Sequence, residues 1–160
     1  MLKLYKRTDE VLRYHEAWLD GKTIQEHWGI VGERGDTKEH PLPEGKDDET
    51  AILDILRPSA DAGFRPIAIE DHATLSIEYA VAGMGARADL DKRFALQERM
   101  DGTLGWTGLG ACDGGSIGSG TMEVCCLVVD FDIAKRVIEA DLTGTKFSDF
   151  TSITNESENA

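Results

Sequence analysis

The spacing of hydrophobic and polar positions changes several times along the chain, and each change predicts an element. From Met1 to Arg7, Leu2, Leu4 and Lys6 share one face. Arg13 to Leu19 is rich in aromatic residues and ends at Asp20-Gly21, a strong hairpin signal between two strands. The partner strand runs from Lys22 to about Val31. Gly32-Glu33-Arg34-Gly35 makes a second turn, and Asp36 to Leu42 reads as a fourth strand. Pro41, Pro43 and Gly45 mark a loop. Asp47 or Asp48 then caps a helix with Ala51, Ile52, Ile55 and Leu56 on its apolar side. Pro58 is expected to end or kink this helix, with another turn from Ser59 to Gly63. The connector Pro66 to Ala73 holds a short strand, Ile67 to Ile69.

The second half is patterned more clearly. Leu75, Ile77, Tyr79 and Val81 alternate with polar or small residues, as in a half-buried strand. Gly83 and Gly85 break it, and Asp89 caps a helix. On that helix Leu90, Phe94, Leu96, Met100 and Leu104 fall within an arc of about 160°. Trp106 to Cys112 reads as a strand and Asp113 to Gly120 as a glycine-rich loop. Thr121 to Val129 is a strand with Met122, Val124, Cys126 and Val128 on one face. Asp130 caps a helix carrying Ile133, Ala134, Val137, Ile138 and Leu142, and Gly144 stops it. Phe147 to Ile153 is a last strand, and Thr154 to Ala160 a fraying tail. The order strand, helix, strand, strand, helix, strand is the ferredoxin-like βαββαβ arrangement. Cys125, Leu127 and Val129 make the outer face of one strand too apolar to be fully wetted. Either the first domain or a second copy of the chain in a homodimer is expected to cover it.

These patterns predict an α+β protein with two domains, residues 1–72 and 73–160. Its 160 residues carry 17 basic and 30 acidic side chains, a net charge of −13. The excess is even: ten basic and sixteen acidic up to residue 74, seven and fourteen after it. Binding to phosphate backbones rests on Lys and Arg, so nucleic acid is not the expected partner. A basic protein is. There is no membrane-length apolar run and no signal-like N-terminus, which leads to the cytoplasm as the expected location.

Three groups of residues are candidates for chemistry: a glycine-rich segment, the cysteines and the histidines. Gly105 to Gly120 is dense in glycine, which lets backbone N–H groups converge on an anion. It lacks the Lys-Ser/Thr ending of a phosphate loop and does not lead from a strand into a helix. A long hairpin with bulges is the plainer reading. The functional one makes it a ligand or partner loop with Trp106, Cys112, Asp113, Gly114, Gly115, Ser116 and Ser119 as contacts. The cysteines, Cys112, Cys125 and Cys126, are three in number and read as reduced and structural. Cys112 has no histidine in its half beyond His72, and its neighbour Asp113 disfavours a thiolate, so catalysis there is not expected. His15, His27, His40 and His72 form no metal-ligand spacing, and no metal or cofactor is expected. His15 and His27 are placed to meet across the first hairpin. Trp18, Trp28 and Trp106 read as packing anchors.

Trp28-Gly29-Ile30-Val31-Gly32-Glu33-Arg34-Gly35 resembles the core of the WGR domain of poly(ADP-ribose) polymerases and small bacterial proteins. Trp28, Gly29, Val31, Gly32 and Gly35 match, and Gly63-Phe64-Arg65 resembles the end of the family's closing helix. The resemblance covers residues 1–70 and implies a four-stranded antiparallel sheet followed by one helix. The family's Arg, suited to a DNA contact, is Ile30 here, which removes that contact. The expected function is non-enzymatic: recognition of a protein partner, by analogy with small acidic bacterial immunity proteins that neutralise basic toxins. The alternatives are a nucleic-acid-binding WGR protein, or a small-ligand sensor or enzyme using residues 113–120.

Overall fold

The computed structural model describes residues 1–158, and the chain divides into two compact units, Met1–Ala68 and the part from Ile69 onward. The class is α+β, with two antiparallel four-stranded sheets and three α-helices.

The first unit is a meander of β1 (Leu2–Thr8), β2 (Val11–Asp20), β3 (Thr23–Ile30) and β4 (Asp36–Pro41), followed by α1 (Asp48–Asp61). A two-residue turn with Gly21 at φ 62° joins β2 to β3. It sets Ala17 opposite Glu26, Glu16 opposite His27 and His15 opposite Trp28. Alternation then puts Leu4, His15, Ala17, Ile24, Glu26 and Trp28 on one face, and Tyr5, Tyr14, Glu16 and His27 on the other. His15 and His27 therefore do not meet; they stand on opposite faces of the sheet. On the first face, Leu4, Ala17 and Ile24 pack against Ala51, Ile52 and Leu56 of α1.

Asp47 caps α1 by accepting the Thr50 N–H at 2.8 Å. The helix runs through Pro58 to Asp61, contrary to the expected break. Pro58 is exposed in the last turn, where solvent can satisfy the carbonyl that loses its donor. The helix closes with Gly63 at φ 97°, the Gly63 N–H donating to Ala60 O and the Phe64 N–H to Ser59 O. Arg65 then pairs back onto Tyr5, and Ile69–Asp71 forms a single 3-10 turn instead of the expected short strand.

The second unit runs β5 (Ala73–Ala80), α2 (Arg87–Trp106), β6 (Gly110–Gly118), β7 (Thr121–Val128), α3 (Phe131–Leu142) and β8 (Ser152–Asn155). Its sheet has the order β6-β7-β5-β8. The core joins Leu75, Ile77 and Tyr79 to Met122, Val124, Cys126 and Val128. From the helices come Leu96, Met100, Leu104, Ala134, Ile138 and Leu142.

Four expectations fail here. Leu90 and Phe94 are 39% and 54% exposed, because only the row Leu96, Met100, Leu104 faces the sheet; Phe94 instead lies beneath the Arg93 guanidinium. Asp89 is not the cap: the helix starts earlier, and Asp89 accepts the Ala86 N–H from inside its first turn. Strand β6 begins at Gly110, inside the expected strand Trp106–Cys112, and runs on to Gly118 through most of the expected glycine-rich loop, while Trp106 belongs to α2. The last strand begins only at Ser152, because a turn buries Phe147, whose carbonyl accepts the Tyr79 hydroxyl at 2.8 Å. In the tail, Ser157 Oγ accepts the Thr74 N–H; Asn159 and Ala160 lie outside the described residues.

The cysteines are corrected too. A register shift between Cys112 and Gly114 leaves Cys112 opposite Cys126, and the two form a disulfide with Cα atoms 4.0 Å apart. Cys125, on the other face of β7, is free. Disulfides persist in oxidising surroundings, so this pairing pulls against a cytoplasmic location. No helix among the described residues is long and apolar enough to cross a membrane.

Candidate functional site

Ser59 follows Ile52 by seven residues and Leu56 by three, so it continues the buried stripe of α1. There it meets His15 of β2: His15 Nδ1 and Ser59 Oγ are 2.6 Å apart. His15 Nε2 lies 2.8 Å from Glu26 Oε1, and Glu26 Oε2 lies 2.6 Å from His40 Nε2. Ser59, His15, Glu26 and His40 thus form one hydrogen-bonded chain across α1, β2, β3 and β4. Both Glu26 oxygens are engaged. Since a carboxylate only accepts, a neutral His15 carries its proton on Nε2, and its Nδ1 then accepts the Ser59 hydroxyl.

This chain opens into a cavity of about 310 Å³ lined by Arg13, His15, Glu26, Trp28, Ser59 and Phe64, among others. The side chains of His15, Glu26 and His40 are 12%, 16% and 27% exposed. The rings of Trp28 and His15 meet edge to face, with centroids 6.2 Å apart. The helix-closing bond from Phe64 N–H to Ser59 O ties two lining residues together. Arg13 is exposed, and its side chain makes no hydrogen bond or ion pair among the described residues.

On the opposite face a second set of the same residue types is closed. His27 is 0% exposed, its Nδ1 2.7 Å from Glu16 Oε1 and its Nε2 2.6 Å from the Arg34 carbonyl. Lys3 reaches the other Glu16 oxygen at 3.1 Å. The Tyr14 hydroxyl lies 2.9 Å from His27 Nε2 and donates toward the Glu33 and Arg34 carbonyls. Gly29, Gly32 and Gly35 serve this set. Gly35 has φ 69°, and a Cβ there would run into Trp28 O and the Tyr14 hydroxyl; a Cβ on Gly29 would come within 2.8 Å of Gly35 Cα. Gly32 turns the chain at φ 96°. Arg34 enters through its backbone carbonyl, and Trp28 belongs to the open face.

The residues expected to act around the glycine-rich segment are scattered along β6 and its flanks. Cys112 is buried in the disulfide and is removed as a contact. Asp113 is exposed where the register shifts, Gly114 and Gly115 pair with Cys125 and Val124, and Ser116 donates to Glu123 at 2.8 Å. Ser119 sits in the β6–β7 turn at φ 54°, and Trp106 is 40% exposed at the end of α2. Neither Trp106 nor Asp113 lines the cavity at Ser59 or the smaller one beside His40. Burial, and then the charge of Glu123, push the Cys125 thiol above its ordinary value, which makes it a weak nucleophile. No group of three or more His, Cys, Asp and Glu among the described residues is placed to hold a metal ion.

No family model, curated protein or solved structure matches the chain. The Ser59 chain is hidden in the sequence because Ser59 and His15 are 44 residues apart. The signal was present: a two-residue turn after Asp20 puts His15 and Glu26 on one face, and the α1 stripe reaches Ser59.

Proposed function

We propose that the chain is a recognition protein that takes up an extended segment of a basic protein along the edge of β6. The observation that carries this reading is the place of β6 at one end of its sheet. Such an edge offers a row of backbone donors and acceptors to an incoming strand. Edges are commonly blunted by Lys or Pro. β4, an edge of the first sheet, is built that way, as Asp36-Thr37-Lys38-Glu39-His40-Pro41. β6 contains neither Lys nor Pro, and its only charge is Asp113. Ala111, Asp113, Gly115 and Ser116 are exposed along it. The net charge of −13 favours a cationic partner and speeds its encounter.

We read the first unit as WGR-like, supported by a four-strand meander followed by one helix, and the second as ferredoxin-like, supported by the order β6-β7-β5-β8. A nucleic-acid role has less support, because Ile30 stands where the WGR family carries Arg. The test is capture on the immobilised full chain, run in parallel for the native protein, Asp113→Lys and Ala111→Lys. The expected result is a basic protein held by the native chain, released by salt and lost from both variants. Equal retention by all three contradicts the reading.

A further inference from the structure

We propose that Ser59 is the nucleophile of an ester-hydrolysing site in the first unit. This goes beyond recognition at β6 and departs from the non-enzymatic expectation. Three observations carry it. Ser59 Oγ is within hydrogen-bond reach of an imidazole nitrogen that is free to accept its proton. The other nitrogen of that imidazole is held by Glu26, which His40 holds in turn. A nucleophile, a base and a group that orients the base are thus in line, the arrangement that defines activated serines on unrelated folds. Finally, the chain faces a cavity, whereas the His27–Glu16 pair on the other face shows what an enclosed pair looks like in this protein.

The reaction balances with water and an ester alone. Ser59 Oγ adds to the acyl carbon as its proton passes to His15 Nδ1. The C–O bond to the alcohol breaks, and the departing oxygen takes the proton from Nδ1, leaving an acyl-serine. Water then gives a proton to Nδ1 and adds to the acyl carbon. The acid leaves, and Ser59 recovers the proton. Arg13 lines the same cavity, and its side chain, without a partner among the described residues, is the cation available to the developing oxyanion. At about 310 Å³ the cavity is at the small end of ligand sites, and Trp28 and Phe64 give it aromatic walls. The substrate class is therefore a carboxylic ester with a short acyl group. Glu26 and His40 are positioning residues.

The test treats the full chain with a fluorescent fluorophosphonate, locates the label by peptide mass spectrometry, and follows hydrolysis of p-nitrophenyl acetate and butyrate. The label is expected on Ser59, with a burst of about one p-nitrophenolate per chain. Ser59→Ala and His15→Gln should each lose about 100-fold or more of the rate. Glu26→Gln should lower kcat with KM nearly unchanged, as expected when only transition-state alignment is lost. Ser59→Cys should still form an acyl-enzyme. A native protein left unlabelled at Ser59 overturns the proposal, as does a folded Ser59→Ala that keeps the native rate. If Ser59 only satisfies the helix–sheet junction, its replacement shifts the melting temperature while the native chain stays unlabelled, which also overturns it.

Discussion

The two faces of the first sheet carry the same chemistry with opposite outcomes. Each has a histidine and a glutamate brought together across β2 and β3, His15 with Glu26 on one face and His27 with Glu16 on the other. On the α1 side the pair reaches outward to Ser59 and His40 and opens on a cavity. On the other side the β3–β4 turn folds over the pair, and Tyr14 and the Arg34 carbonyl complete its bonds. The difference lies in what covers each pair, and glycines decide it. Gly29 and Gly35 let the turn come down on Tyr14, where any side chain would hold it off. A His–Glu pair in a sheet is thus structural or chemical according to its enclosure. β7 repeats the pattern: Cys126 points into the core and bonds Cys112, while its neighbour Cys125 points the other way and stays free.

The largest effect expected from the enclosed environments is alkaline unfolding. All three tyrosines are affected, Tyr5 and Tyr14 on the closed face and Tyr79 in the second core. Burial, followed by nearby carboxylates, raises each phenol well above its ordinary value. The folded pKa lies above the unfolded one, so the unfolded chain releases these protons first. The stabilisation is fully present below about pH 10 and is lost as pH rises beyond it. Phenolate absorbance should therefore stay absent until the circular dichroism collapses, then appear for all three together. Phenolate appearing in a chain that remains folded would show that these sites are open.

Reduction of the disulfide comes next. The native chain should react with one equivalent of thiol reagent and the reduced, unfolded chain with three. For a sequence separation of 14, reduction should cost up to about 3 kcal/mol in a denaturant titration. Three reactive thiols in the native chain would break the β7 half of the comparison and restore the reduced state read from the sequence.

Much of this was legible in the residues, unevenly. β1 to β4, α1, β5, β7 and α3 follow from alternation, a turn pair and caps, because each signal is local. The buried stripe of α2 is narrower than angular position predicts, because the sheet meets only the Leu96, Met100, Leu104 row and Arg93 covers Phe94. Glycine weakens strand propensity and gives residues 113–118 the pattern of a loop, whereas pairing with β7 carries β6 through them. The Ser59 chain joins four elements, so it emerges only when the β2–β3 register and the α1 stripe are combined. That register also separates His15 from His27. The Cys112–Cys126 pair was hidden by a bulge of one residue, which no hydrophobic pattern records.

The most direct measurement of the central claim is a pair of urea denaturation curves, for His27→Ala and His15→Ala in the full chain. Breaking the enclosed pair leaves buried Glu16 with Lys3 as its charged partner, empties a fully buried site and should cost about 3 kcal/mol. Removing His15 leaves Glu26 bonded to His40 beside an open cavity and should cost about 1 kcal/mol. That ordering is the account's prediction. Equal losses, or a greater loss at His15, would contradict it and make both pairs structural.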